Sequence, residues 1–146
     1  MIRRMIRRRN RHGAAAIEFA LMLPPLMLTF GGVLELSNYM TELQMVARAA
    51  RDGARVGSIT IEGTDPDGTE IIAAAEAQAT LVLETAGYEC DVDGICLLTT
   101  TWELDPDTGY YFVDLEVSVP YQSFTQLLPQ LGTRVRADFT MMTQQQ

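Results

Sequence analysis

The chain has 146 residues with 11 Lys+Arg against 19 Asp+Glu, a formal charge of −8, which bounds it to one domain or one domain with an appendage. Every cation is arginine, and Arg3, Arg4, Arg7, Arg8, Arg9 and Arg11 crowd into an acid-free start, so residues 14–146 hold five Arg against all 19 acids and do not read as a partner for nucleic acid. His12 is the single His, Cys90 and Cys96 are the only cysteines, and no glycine-rich phosphate loop is present, so zinc chemistry, triad catalysis, a cofactor and a small-molecule substrate are not expected.

From Ala14 to Val33 the sequence reads AAAIEFALMLPPLMLTFGGV, in which Glu18 alone is ionisable. A run of roughly 20 apolar residues is what a helix needs to cross a bilayer. Arginines before the run and acids after it place the N-terminus in the cytoplasm and the body across the membrane. The small residues Ala14 to Ala16 precede the apolar run, the reverse of the order in a cleaved secretory signal. A carboxylate such as Glu18 inside an apolar segment costs about 3 kcal/mol. It either snorkels to the headgroups from the first turn or meets a cation. Pro24 and Pro25 remove two helix donors and are expected to kink or locally unwind the span.

Gly13, then Ala14-Ala15-Ala16-Ile17, then Glu18-Phe19 resembles the type IV prepilin cleavage motif, with its basic leader in front and apolar helix behind. The stretch HGAAAIEFALMLPPLMLTFGGVLEL followed by ARAARDGARVGS is similar to the TadE-like pseudopilins of Tad (Flp) pilus systems. VSVPYQSFTQLLPQL followed by RVRADFTMM carries a second, slighter likeness near the C-terminus, and the middle of the chain carries little. The resemblance implies that a prepilin peptidase cuts between Gly13 and Ala14 and that Glu18, with Phe19, serves recognition and helix assembly. Glu18 would pair with the new terminal amine of a neighbouring subunit. The implied partners are the peptidase, other pilin-like subunits of the same pilus and membrane lipid. The implied place is the bacterial inner membrane, single-pass, with a periplasmic head and a route into an extracellular pilus. A permanently anchored periplasmic binding module is the alternative from another class, and it would keep Met1 to His12.

Four regions are expected: a leader over 1–13, a transmembrane helical half over 14–34, an extracytoplasmic half over 35–56 and a head over 57–146. Leu36, Met40, Leu43, Ala47, Ala50 and Ala54 recur at helical spacing, so one helix of about 65 Å should continue to residue 56. Its stripe should pack on the chain's own sheet, with Arg48, Arg51 and Arg55 off the stripe as alternative contacts between subunits. A loop over 57–68 precedes a second helix over 68–86, started by an Asp67-x-x-Glu70 capping box and ended at Gly87. Its apolar face is Ile72, Ala75, Ala79, Val82, Leu83 and Ala86.

Residues 96–104 and the alternating run Tyr111, Val113, Leu115, Val117 and Val119 read as strands of a hairpin joined by Asp105-Pro106-Asp107-Thr108-Gly109. Pro120 should stop that ladder, and Phe124 to Leu131 reads as a short helical turn. Val135, Ala137, Phe139 and Met141 form a last strand, which makes the fold class α+β: a long N-terminal helix, a second helix and a small antiparallel sheet. Cys90 and Cys96 flank an Asp-Gly turn and are expected to bridge in an oxidising compartment. The pairs Asp65/Asp67, Asp91/Asp93 and Asp105/Asp107 read as solvated turns, since none completes a calcium-loop spacing.

Overall fold

A computed structural model describes residues 11–60, 68–90, 95–121, 123 and 133–143. Its elements are α1 (Arg11–Ile59), α2 (Thr69–Thr85), β1 (Leu97–Leu104), β2 (Tyr111–Pro120) and β3 (Arg134–Met142). The leader before Arg11, the expected turn at 124–131, and Asp65, Asp67, Asp91 and Asp93 lie outside the described residues.

α1 is a single helix of 49 residues, about 73 Å long at 1.5 Å per residue. It runs through Pro24 and Pro25 without interruption, contrary to the expected unwinding. Adjacent prolines free only the carbonyls of Ala20 and Leu21, one turn back, and the ladder is intact on either side of that gap. One turn on, the Thr29 hydroxyl donates to the Pro25 carbonyl at 2.8 Å.

The sheet is antiparallel in the order β1-β2-β3, with Trp102 opposite Val113 and Glu116 opposite Asp138. Period-two patterning puts Val113, Leu115, Val117 and Val119 of β2 on one face, all buried together with Val135 of β3. Both helices cover that face, α1 with Val46, Ala49, Ala50 and Ala54, and α2 with Ile71, Ala75, Ala79 and Leu83. Small residues let the layers approach. A Cβ at Gly53 would overlap Leu115, the Ala75 carbonyl and Ala79, and one at Gly57 would stand 3.0 Å from the Ala75 methyl. Substitution at either glycine therefore pushes helix from helix.

The buried stripe of α1 is rotated from the expected one. Leu36 and Met40 are each 45% exposed, whereas Glu35 is fully buried. Tyr39 and Leu43 then continue the stripe against the core. On α2 the inward residue is Ile71 rather than Ile72, which makes an exact four-residue ladder with Ala75, Ala79 and Leu83.

The start of α2 also differs from the capping-box expectation. Its N-cap is Gly68 at φ 69°, with no side-chain cap hydrogen bond, because the Trp102 ring occupies the space where a Cβ would stand. Its end is as expected: Gly87 takes φ 93°, its N–H donates to the Glu84 carbonyl at 2.9 Å, and Tyr88 N–H donates to the Leu83 carbonyl at 3.1 Å. In the hairpin turn the Asp105 carboxylate accepts from the Asp107 N–H at 2.9 Å and from the Thr108 hydroxyl at 2.8 Å. Those bonds, the Asp107 one foremost, hold the Asp105 carboxyl below its ordinary range. Pro120 ends the strand as expected: pairing with β1 stops at Ser118, and Pro120, opposite Arg134, is the last residue of β2 to pair with β3.

Candidate functional site: the uncovered half of the first helix

Between Gly13 and Leu34 no side chain of α1 is buried. Ile17, Phe19, Leu21, Met22 and Phe30 are 62–73% exposed, and the apolar residues between them are open too. In water such a surface would be driven into a core, at roughly 25 cal/mol per Å². None of the described residues covers it, and a lipid phase or other helices would do so. Among the described residues α1 is the one helix long and apolar enough to cross a membrane.

The residues singled out at its start fall within two turns. Gly13, Ala14, Glu18 and Phe19 are all exposed on α1, and Ala14 and Glu18 share a face at i, i+4. A Cβ at Gly13 would meet no atom within 4 Å, so neither packing nor a left-handed backbone asks for glycine there. Cys90 and Cys96 are joined in a disulfide with Cα atoms 5.0 Å apart, packed against the core of the head. The fold brings each set together within itself and does not bring the two sets to each other.

Where the uncovered half meets the head, the structure places a polar junction that has no counterpart among the expected site residues. The Tyr121 hydroxyl donates to the buried Glu35 carboxylate at 2.9 Å and lies 3.3 Å from the Glu35 carbonyl. Tyr39 stands edge-on to the Tyr121 ring, with centroids 5.3 Å apart. Burial, reinforced by the Glu35 hydrogen bond, pushes the Tyr121 phenol above the ordinary tyrosine range. Burial likewise raises Tyr88, which faces Glu42 two turns beyond Glu35 along the helix. This junction ties the exit of the apolar segment to the end of β2. A contact between positions 86 residues apart leaves no local mark in a sequence.

The arginines beyond the junction are accounted for in two ways. Arg134 donates from its guanidinium to the Ser118 hydroxyl and carbonyl and to the Ile95 carbonyl, each at 2.9 Å, and so clamps β3 to β2 and to the strand-entry bend. Arg48 pairs loosely with Asp52 at 3.6 Å, and Arg51 lies over the Phe139 ring at 5.3 Å. Within the described residues no three or more His, Cys, Asp or Glu side chains are gathered as a metal site.

Residues 13–55 match the family model described as TadE-like protein. The matched stretch begins at Gly13, ends inside α1, and includes neither α2 nor the sheet. No curated protein and no solved structure matches the chain.

Proposed function

We propose for this chain, whose residues 13–55 match the TadE-like family model, a structural role in a Tad-type pilus system: an anchored pilin-like subunit that acts in assembly through its N-terminal helix. The observation that carries the reading is the uncovered apolar half of α1, continuous with a packed head. Such an arrangement holds the head at a membrane while leaving a helix free to pack with others.

The steps run as follows. A prepilin peptidase cuts after Gly13, which the prepilin-like motif places five residues before Glu18 and which no described packing contact requires to be glycine. The new N-terminus is the Ala14 amine, one helical turn from Glu18. In lipid, a carboxylate and an ammonium attract far more strongly than in water, and each relieves the other's burial cost. Pairing between Glu18 of one subunit and the amine of the next would therefore set the axial register between helices. The leader arginines keep the N-terminus cytoplasmic and place the head, with its disulfide, in the periplasm.

Glu18→Ala tests the assembly step. The variant should insert in the membrane and fold its head as the wild type does, while its co-purification with pilin-like subunits falls by an order of magnitude or more. Unchanged co-purification would leave Glu18 as a snorkelling residue and remove the register role.

A further inference from the structure

The head carries two charged surfaces that its own fold keeps apart. The first is a ridge on α1: Arg48, Arg51 and Arg55 stand within about 60° of one another on the helix, opposite the face that carries Ala49, Gly53 and Gly57. All three are exposed. They are three of the five arginines in residues 14–146. The second is the outer face of the sheet. There Asp114 and Glu116 of β2 and Asp138 of β3 point away from the helices, two residues apart along β2 and one strand across. Glu116 and Asp138 are direct cross-strand partners, an arrangement of like charges that destabilises a sheet when nothing else is bound to it. Arg136 at 3.7 Å from Glu116 offsets part of that charge.

From these surfaces we propose that the acidic sheet face of one copy docks on the arginine ridge of a second copy, side by side in the membrane plane. Two features argue for a second copy as the occupant. Arg48 and Arg55 are on the back of the helix layer, Arg51 turns from its flank toward Phe139 of β3, and the acids are on the far side of the sheet, so Arg48 and Arg55 cannot reach them within one chain. The contact is then heterologous and repeats in one direction, as in a filament or ring. The two surfaces also stand at the same height along α1. Gly53 abuts Leu115 and Gly57 abuts Val113, which puts Asp114 level with Arg55 and Glu116 level with residues 48–52. Two copies anchored at one membrane depth therefore meet ridge to face without an axial shift. The extents agree as well, about 10 Å for the ridge at 1.5 Å per residue and about 7 Å along by 5 Å across for the acids. This contact lies wholly in the head and stands whether or not the leader is cut.

The test uses the full chain in lipid vesicles, with donor-labelled and acceptor-labelled populations mixed and energy transfer read at fixed protein-to-lipid ratio. Wild-type transfer should fall several-fold between 0.05 and 1 M salt, about the range over which the screening length drops from more than 10 Å to 3 Å. Arg48→Glu with Arg55→Glu should abolish the salt-sensitive transfer, and so should Glu116→Lys with Asp138→Lys. Mixing the two double variants should restore it, because each supplies the complement of the other's altered face. Circular dichroism checks that both fold; Arg48, Arg55 and Asp138 are exposed and Glu116 is half-buried on the outer face of the sheet. Salt-independent transfer in the wild type, or a mixture no better than either variant alone, would overturn the proposal and assign association to the apolar helices.

Discussion

α1 is one helix with an uncovered half and a packed half, and the two halves use the same residue types to opposite ends. Glu18 is exposed in the apolar half, while Glu35, at the boundary, is fully buried under Tyr121. Gly32 has open space where a Cβ would stand, whereas Gly53 is pressed against Leu115 and α2. Leucines 21, 26 and 28 are at least half exposed, but Leu83 and Leu115 in the head have no exposed surface. The head half is specified by this chain and reads as a packed core. The apolar half is left open by the described residues, so its side chains contribute little to the stability of the head.

The largest expected effect separates the halves most sharply. Leu115→Ala removes a fully buried side chain between α1 and the sheet and should cost about 2–5 kcal/mol in denaturant unfolding of the head, followed by the fluorescence of Trp102. Leu26→Ala, half exposed on the apolar segment, should leave that midpoint unchanged. Equal losses would mean that the apolar half packs on the head after all.

The junction comes next. Tyr121→Phe leaves the ring against Tyr39 and deletes the hydroxyl that donates to the Glu35 carboxylate at 2.9 Å, so unfolding should become easier by about 1–3 kcal/mol. A neutral result would show that the polar tie contributes nothing to holding the apolar half to the sheet.

The smallest expected effect is on alkaline stability. In the unfolded chain a tyrosine ionises near pH 10, and in the fold Tyr121 and Tyr88 ionise higher. The unfolded state then releases protons first as pH rises, so stability is full below pH 10 and declines above it through the folded values. Tyrosinate absorbance should show these two rings titrating at higher pH in the folded protein than in the denatured chain. Loss of the head's stability at pH 8 would point to another group.

Much of this comparison was legible in the residues. The helical apolar run, the hairpin around Asp105 to Gly109 and the left-handed end of α2 at Gly87 all carry local signals, and the structure has each of them. The stripe on α1 was displaced because a charged residue was assigned outward, and Glu35 is inward only through a partner 86 residues away. A sharper signal was present in Gly53 and Gly57, two glycines four apart in a helix, which mark the face where another backbone comes close. The start of α2 escaped prediction because Trp102, a residue of β1, decides the cap from across the fold. At the candidate site, the motif singles out Gly13, Ala14, Glu18 and Phe19, and the fold leaves all four exposed without a described contact that would explain them.

The most direct test of the assembly account is the N-terminal peptide mass of the membrane-bound protein, made in a host that supplies its prepilin peptidase. The account predicts a chain beginning at Ala14, with the freed amine one helical turn from Glu18. A chain beginning at Met1 would contradict it, since the leader would still cover the amine and Glu18 would lack the proposed cation.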